Sequence, residues 1–205
     1  MATNIQNLKN TLRQEVKQTL SRMCIEEKHL QSNYVAQKLI QHRKYLEATR
    51  IGIYLSLADE IQTESILKHM FSIGKLCFIP RYNAESMDMI RMESFEERDT
   101  LPKTKWNIPQ PTEDSHREDA TQTGGLDILI IPGRAFTKSG YRLGRGKGYY
   151  DKYLSRYKEK FDGKLPYMIG LAYAQQIYEE LPITETDQKL DEILFDNREE
   201  SVPYL

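Results

Sequence analysis

The sequence predicts a single α/β domain, residues 1–205, in which helices flank a mostly parallel central sheet. Three observations support this fold class. Strand-like runs alternate with amphipathic helical segments, which is the pattern of repeated βα units. The run LDILIIP, residues 126–132, is continuously apolar, as expected for a strand that is buried on both faces. The chain of 205 residues is long enough for one substantial core and short for several domains.

The first part of the chain predicts three helices and one strand. A helix covers about residues 5–22, where leucine or valine recurs every fourth residue. A second amphipathic helix covers about residues 26–42. The run RIGIYLSL, residues 50–57, is rich in β-branched and aromatic residues and predicts a strand. The segment TESILKHMFSIG, residues 63–74, predicts a helix that a glycine ends.

The second part of the chain predicts five strands and one more helix. The strands are expected at residues 75–82, 87–92, 126–132, 167–173 and 191–196. The helix covers residues 147–160. Residues 100–125 form a long polar loop, and a loop of this length in a compact domain is more often functional than idle.

The composition excludes several classes of protein. Lys and Arg number 29 and Asp and Glu 30, so there is no global attraction to nucleic acid or to an anionic membrane. The N-terminus lacks the apolar core of a signal peptide, and no apolar run reaches about 18 residues. Cys24 and Cys77 are far apart in the sequence and form no C-x-x-C pair. We therefore expect a reduced, cytoplasmic monomer that binds small molecules and neither nucleic acid nor membranes.

The stretch IIPGRAFTKSGYRLGRGKGYYDKYL, residues 130–154, carries the strongest functional signal. Gly140, Gly144, Gly146 and Gly148 are interleaved with basic residues, and residues 134–158 contain eight basic side chains and one acid. Glycines let the backbone approach an anion closely, and the predicted helix that follows turns its positive end toward the loop. The loop also follows the carboxyl end of a predicted parallel strand, where ligands of such sheets bind. The pattern indicates a polyphosphate site.

Known phosphate motifs do not fit this loop, and other interpretations stay open. A GxxxxGK[ST] motif fails because Tyr141 and Gly148 stand at its two ends. A GxGxxG motif fails because Tyr149 stands at the third glycine. One alternative is a solvated glycine hairpin with ordinary surface lysines. Another is an RNA-binding glycine-arginine segment, although such segments usually repeat outside a folded unit.

The run PGRAFTKSGYRLGRGKGYYDKYL resembles the signature of the 5-formyltetrahydrofolate cyclo-ligase family, also called 5,10-methenyltetrahydrofolate synthetases. The segments LSLADEI, FIPRY, LPKTKWNIPQP and TGGLDILIIPG resemble other parts of the family in the same order, over nearly the whole chain. The signature departs at Arg134 and Thr137, where the family more often has a small or apolar residue and an aspartate. The resemblance implies a Rossmann-like three-layer fold of the cyclo-ligase type.

The resemblance also implies a reaction, the ATP-driven and magnesium-requiring closure of 5-formyltetrahydrofolate to 5,10-methenyltetrahydrofolate. The formyl group is an amide, and resonance of the kind that gives a peptide bond its barrier of about 18–20 kcal/mol makes its carbon a poor electrophile. Phosphorylation of the formyl oxygen activates the carbon and creates a leaving group. The folate nitrogen at position 10 then attacks, and ADP and phosphate are released. The protein aligns the substrates and offsets charge, and it needs no nucleophile.

Residues for ATP and magnesium follow from matching this sequence to the family pattern. The ATP residues are Lys9, Asn10, Thr11, Leu12, Arg13, Arg142, Leu143, Gly144, Arg145, Gly146, Lys147, Gly148, Tyr149 and Tyr150. Of these, Lys147, Arg145 and Tyr150 are expected to be catalytic. Asp151 and Asp187 match the metal positions, and carboxylate oxygens suit Mg²⁺. On the sequence alone, Lys9 and Arg13 fit a solvated basic stripe, Asp151 fits a helix start, and Asp187 fits a turn.

The folate residues also follow from the resemblance. They are Leu55, Glu60, Trp106, Arg145, Gly146, Lys147, Gly148 and Tyr149. Glu60 suits the aminopyrimidinone edge of a pterin, since a carboxylate accepts two parallel hydrogen bonds. Trp106 offers an aromatic wall, although a lone tryptophan in a loop is often a packing anchor. Arg81 is a further candidate for phosphate or for the glutamyl carboxylate.

Two other functions remain open from the sequence. A small-molecule kinase on the same fold would leave phosphate on its product, whereas a cyclo-ligase releases it. A non-catalytic nucleotide-binding or RNA-binding module would bind without turning over ATP. The four histidines show no metal-ligand spacing, and no Ser-His-Asp or Cys-His arrangement is visible in the sequence.

Overall fold

A six-stranded sheet lies at the centre of the molecule, and the computed structural model describes residues 2–104, 108–112 and 116–198. The strands are β1 Arg50–Gly52, β2 Leu76–Tyr82, β3 Met87–Met92, β4 Ile128–Ile131, β5 Ala135–Thr137, β6 Arg142–Leu143, β7 Tyr167–Ala172, β8 Ile177–Tyr178 and β9 Glu192–Phe195. The helices are α1 Ala2–Arg22, α2 Ile25–Ile40, α3 Arg43–Glu47, α4 Glu64–Ser72 and α5 Tyr149–Lys160. Short 3₁₀ turns cover Glu96–Asp99, Ala120–Gln122 and Ala174–Gln176.

The strand order in the central sheet is β3-β2-β1-β4-β7-β9. All neighbouring pairs are parallel except β2 and β3, which form an antiparallel hairpin at one edge. This arrangement confirms the predicted α/β fold with a mostly parallel sheet. None of the helices in the described ranges is long and apolar enough to cross a membrane.

Strand β4 explains why the sheet lies between two layers of helices. Its four residues, ILII, are all buried. Because successive side chains of a strand point to opposite faces, Ile128 and Ile130 join the core cluster that contains residues of α1, α2 and α4. Leu129 and Ile131 join the second cluster, which includes the buried face of α5. Each such side chain contributes about 1.5–3 kcal/mol when it is fully buried.

The strand predicted at residues 50–57 is shorter than expected. Regular pairing in β1 ends at Gly52, and Ile53 adds one more bond to the Phe78 carbonyl at 2.8 Å. Beyond it, side chains replace the ladder, since Thr63 Oγ1 donates to the Tyr54 carbonyl at 2.9 Å and Glu60 Oε2 accepts from the Leu57 amide at 2.9 Å. Polar side chains therefore fold this segment into an irregular turn above the sheet.

The stretch between β4 and α5 also differs from the prediction. The chain first forms the β5–β6 hairpin, which joins β8 in a small three-stranded sheet of order β6-β5-β8. Thr137 supports this hairpin, because its Oγ1 accepts from the Tyr141 amide at 3.0 Å. The helix predicted from residue 147 begins at Tyr149, because Gly148 has a left-handed backbone, φ 68°, at its N-cap. The glycine loop is therefore residues 144–148, between β6 and α5.

Candidate active site

A cavity of about 1330 Å³ opens above the carboxyl ends of β1, β2 and β4. Pockets for a single small ligand usually measure about 300–1,000 Å³, so this cavity has room for two substrates. Its lining comes from α1, the turn after β1, the end of β2, the segment after β4, the glycine loop, the first turns of α5 and the turn before β9. The predicted residues among these are Lys9, Arg13, Leu55, Glu60, Arg142, Leu143, Gly144, Arg145, Gly146, Lys147, Gly148, Tyr149, Tyr150, Asp151 and Asp187.

The glycine loop forms one end of the cavity from its backbone. Gly146 and Gly148 have φ values of 105° and 68°, which residues other than glycine rarely adopt. The loop leads into the N-terminus of α5, whose first amides lack helical partners and attract an anion. Lys147 is exposed here and makes no ion pair within the described residues. The arrangement of the loop suits an anion.

Two buried polar groups of this end lack partners among the described residues. Arg142 is buried and pairs with Asp151 through Nη2 at 2.9 Å, but its Nε makes no hydrogen bond. The Tyr150 hydroxyl is buried beside Tyr82 without a hydrogen bond of ordinary geometry. Burial, followed by the nearby Tyr82, raises the pKa of Tyr150 well above its usual value. Buried groups of this kind are normally satisfied, so a ligand is a natural partner for both.

Helix α1 contributes two cations to the same end. Lys9 is buried, and its Nζ donates to Asp187 Oδ2 at 2.6 Å. Arg13 Nε donates to the Gly144 carbonyl at 2.9 Å and fixes the start of the glycine loop. Burial lowers the pKa of Arg13, and the nearby Asp187 opposes this effect. The interpretation of Lys9 and Arg13 as a solvated basic stripe is therefore wrong.

The other predicted residues of α1 lie outside the cavity lining. Asn10 Oδ1 accepts from Arg13 Nη1 at 2.7 Å and so reaches the site through that side chain. Thr11 is exposed, and Leu12 packs against the hydrophobic core. A role for these three residues in ATP binding stays a prediction.

The two predicted metal ligands both line the cavity and are both ion-paired. Asp151 lies in the first turn of α5, beside Arg142. Asp187 closes a turn, since its Oδ2 also accepts from the Thr184 amide at 2.6 Å. Burial alone would raise the pKa of Asp187, but the bonds from Lys9 and Thr184 hold it below its usual value. The described residues contain no group of three or more His, Cys, Asp or Glu placed to hold a metal ion.

Glu60 marks the other end of the cavity. It is buried in the turn after β1, and Tyr173 Oη fixes its backbone by donating to its carbonyl at 2.7 Å. Arg145 donates to Glu60 Oε1 through Nε at 3.0 Å and Nη2 at 2.8 Å. Leu55 is a buried apolar neighbour in the same lining. Trp106, predicted for this end, lies outside the described residues.

Several residues at the cavity were not predicted from the sequence. Tyr82, at the end of β2, packs against Tyr149 with ring centroids 5.1 Å apart. Asp59 does not line the cavity itself, but it pairs with two residues that do, Arg134 and Arg145. The position of Tyr82 at the carboxyl end of a parallel strand is a signal that could have identified it.

Arg81, the further candidate from the sequence, does not line the cavity. It donates to the Thr112 carbonyl at 3.3 Å and lies 4.0 Å from Asp88. The histidines of the described chain are also absent from the lining.

Comparisons with known proteins agree on one family. The model of the 5-formyltetrahydrofolate cyclo-ligase family matches residues 5–196. The 5-formyltetrahydrofolate cyclo-ligase of Mus musculus is 48% identical over 198 residues, which cover 96% of this chain and 97% of the relative. A probable 5-formyltetrahydrofolate cyclo-ligase of Caenorhabditis elegans is 39% identical, covering 94% of both chains.

Two solved structures share the fold. The NMR structure of 5,10-methenyltetrahydrofolate synthetase from Aquifex aeolicus matches with a TM-score of 0.73 at 24% identity, covering 91% of this chain and 89% of the other. The 5,10-methenyltetrahydrofolate synthetase from Mycoplasma pneumoniae matches with a TM-score of 0.68 at 24% identity, covering 92% and 98%.

Proposed function

Because this chain belongs to the 5-formyltetrahydrofolate cyclo-ligase family and is an enzyme of it, we propose that it converts 5-formyltetrahydrofolate to 5,10-methenyltetrahydrofolate. We further propose that the reaction consumes ATP, requires magnesium and releases ADP and phosphate. The observation that carries this proposal is a single cavity of about 1330 Å³ that joins a backbone phosphate cradle to a buried carboxylate. The two ends suit a triphosphate and a pterin.

The proposed chemistry transfers the γ-phosphoryl group of ATP to the formyl oxygen, breaking its bond to the β-phosphate oxygen. The folate nitrogen at position 10 then forms a bond to the formyl carbon. The former formyl oxygen leaves within inorganic phosphate, and the nitrogen loses its proton. No enzyme nucleophile enters this sequence. The described cavity lining, which contains no cysteine or histidine, is compatible with such a mechanism.

In the proposal, the glycine loop and two cations bind the triphosphate. The amides of residues 146–149 and the N-terminus of α5 face the phosphates. Lys147 supplies a mobile charge, because no carboxylate in the described chain holds it. Arg142 can donate its unpaired Nε, and Arg145 stands between the phosphate and pterin ends. Tyr150, which has a buried hydroxyl, is proposed to act on the reacting groups together with Lys147 and Arg145.

The carboxylates of Asp151 and Asp187 fit a magnesium ion that is shared with substrate. Mg²⁺ commonly takes one or two carboxylates and fills its other positions with phosphates and water. Two separate aspartates in one cavity suit that role, whereas a complete protein cage would need more ligands. When bound, the ion supplies positive charge to the phosphate oxygens. The lowered pKa keeps Asp187 ionised at neutral pH.

At the other end, Glu60 is proposed to accept hydrogen bonds from the pterin edge, with Leu55 and Tyr149 packing against the ring system. Burial strengthens such bonds, since little water competes with them. Trp106 is retained as a proposed aromatic contact. The molecule is further proposed to act as a cytoplasmic monomer on these small molecules, with no nucleic acid or membrane partner. Gel filtration at several concentrations tests the monomer.

The experiment that tests the function is single-turnover conversion of 5-formyltetrahydrofolate carrying ¹⁸O in its formyl group, with ATP and magnesium. We expect ADP to form in equal amount with the methenyl product, and the label to appear in inorganic phosphate. Phosphate that took its new oxygen from solvent would contradict direct activation of the formyl group. A phosphorylated product that is stable would indicate a kinase.

A further inference from the structure

Four side chains form a row of alternating charges; Arg134, Arg145 and Glu60 line the cavity, and Asp59 lies behind them. Arg134 pairs with Asp59, and Asp59 also pairs with Arg145. Arg145 in turn donates two hydrogen bonds to Glu60, at 3.0 and 2.8 Å. The order of the row is Arg134–Asp59–Arg145–Glu60. It joins the turn after β1, the segment after β4 and the glycine loop, which are distant in the sequence.

The acceptor capacity of Glu60 makes Asp59 important. A carboxylate offers about four lone-pair positions. Glu60 uses three of them, one for the Leu57 amide and two for Arg145. A pterin edge that donates two parallel hydrogen bonds therefore needs Arg145 to give up at least one position. Glu60 therefore cannot accept all the hydrogen bonds of Arg145 and of the pterin at the same time.

Release of Arg145 from Glu60 has a cost unless another anion receives it. An ionised group that loses its partner in a partly buried site is strongly disfavoured. Asp59 already contacts Arg145, and its pKa stays below the usual value although burial would raise it, because Arg145 and Arg134 favour the charged form. Asp59 is thus ionised and in place.

We propose that Asp59 is a positioning residue. It keeps Arg145 at the boundary between the two ends of the cavity when Glu60 replaces hydrogen bonds from Arg145 with hydrogen bonds from the folate. Arg134 holds Asp59 in place for this role. The inference rests on the proposed function, since it assigns Glu60 to the pterin. Arg145 freed in this way keeps its donors beside the formyl oxygen and the phosphates, where charge develops during transfer.

The chain offers a matched control for this network. Glu118 also bridges two arginines, Arg50 at 2.8 Å and Arg91 at 3.3 Å. Its side chain is 29% exposed, the same as that of Asp59. Neither carboxylate lines the cavity, but the two arginines that Asp59 bridges do, and those that Glu118 bridges do not. A general effect of breaking an Arg-carboxylate-Arg bridge would therefore appear equally in Glu118→Gln and Asp59→Asn.

The test measures kcat and KM for both substrates in four proteins and the wild type. We expect Asp59→Asn to lower kcat about 10-fold or more, part of the effect of losing one charge-stabilising donor, with KM for ATP changed less than about 3-fold. Arg134→Gln lowers kcat in the same way but less. The double variant Asp59→Asn/Arg134→Gln is no slower than Asp59→Asn alone, because Arg134 acts through Asp59. Glu118→Gln retains wild-type kcat.

A second readout does not depend on turnover rates. The Arg145 Nη–H signals, assigned by their loss in Arg145→Lys, are followed by ¹⁵N NMR in complexes with 5-formyltetrahydrofolate, because Nη2 is the atom that donates to Asp59. Their exchange with water should be about 10-fold faster in Asp59→Asn than in the wild type, and unchanged in Glu118→Gln. Three results would overturn this inference and leave the proposed function intact. They are equal hydrogen exchange in Asp59→Asn and the wild type, a wild-type kcat in Asp59→Asn, and additive effects on kcat in the double variant. A wild-type protein that does not form the methenyl product would overturn the proposed function, and the inference with it.

Discussion

The two ends of the cavity are built in different ways. The end proposed to bind phosphate comes mainly from one continuous segment, residues 142–151, and is formed by backbone amides, two positive-φ glycines and a helix start. The end proposed to bind folate is assembled from distant segments and is formed by side chains, chiefly Glu60 and its partner Arg145. A backbone site tolerates side-chain exchange at most of its positions, whereas a side-chain site depends on each charge and its neighbours. Substitutions at the two ends should therefore fail in different ways.

The largest effect is expected at Lys147, the one side chain of the loop that carries a charge and makes no ion pair in the described chain. Lys147→Ala should lower kcat by about 100-fold or more, the scale for losing one electrostatic donor. Lys158→Ala, an exposed lysine later on α5, serves as the control and should keep its activity. Steady-state rates measure both. Wild-type turnover in Lys147→Ala would remove this residue from the mechanism.

Glu60→Gln tests the folate end. The amide offers one oxygen and one NH₂ group, so it accepts one bond from the pterin and opposes the second donor. We expect KM for the folate to rise about 10-fold or more, the size of a lost hydrogen bond to a charged group, while the Kd of ATP stays constant. Calorimetry with each ligand separates the two. The ¹⁸O label should still enter phosphate, because Glu60 does not take part in its transfer.

The two ends of the cavity also differ in how well the sequence predicts them. The phosphate end is local, so glycine spacing, basic residues and a helix start indicate it from the sequence alone. The partnership of Glu60 with Arg145 spans 85 positions in the sequence, and no local pattern encodes it. Asp59 was missed for the same reason, since its partners Arg134 and Arg145 are 75 and 86 positions away. Tyr82 was missed although its position at the carboxyl end of a parallel strand is a signal for the site.

The fold shows a similar contrast between strong and weak patterns. MDMIRM was predicted at its observed bounds, Met87–Met92, where only the two charged side chains, Asp88 and Arg91, are less than fully buried. The run RIGIYLSL was predicted as eight residues of strand, but β1 has three. Its apolar side chains are buried as a strand would bury them, yet a hydrogen bond donated by Thr63 and one accepted by Glu60 replace the ladder. Burial pattern alone does not distinguish these two cases.

Gly146→Ala tests the backbone of the glycine loop. The alanine would have to adopt a φ of 105°, and its added methyl lies 3.4 Å from Arg13 Cζ. Gly163→Ala is the matched control, since its φ is 85° and no heavy atom lies within 4 Å of the added methyl. Both variants should lose about 1–3 kcal/mol of stability from backbone strain. Only Gly146→Ala should also bind ATP several-fold more weakly, with folate affinity unchanged. Equal ATP affinity in the two variants would contradict a backbone cradle.

The smallest effects are expected at the two aspartates proposed as metal ligands, since the protein would supply a minority of the ligands there. Asp151→Asn and Asp187→Asn keep the side-chain shape and lose a negative charge, so each should raise the magnesium concentration for half-maximal activity a few-fold. Glu185→Gln, an exposed acid in the same turn as Asp187, should not. An unchanged magnesium curve would reduce either aspartate to a structural role.

Asp187 also predicts a pH dependence that separates its structural role from its metal role. Its folded pKa lies below the unfolded value of about 3.9, since the bonds from Lys9 and Thr184 outweigh burial. The stabilisation is therefore complete above about pH 5 and disappears as the pH falls through 3.9 and then the folded pKa. The free energy of unfolding of Asp187→Asn, measured in urea without magnesium, should lie about 1 kcal/mol below the wild type at pH 7, and the difference should shrink as the pH falls below about 3.9. A difference that stays constant as the pH falls would mean that shape, and not the charge beside Lys9, sets the contribution of this residue.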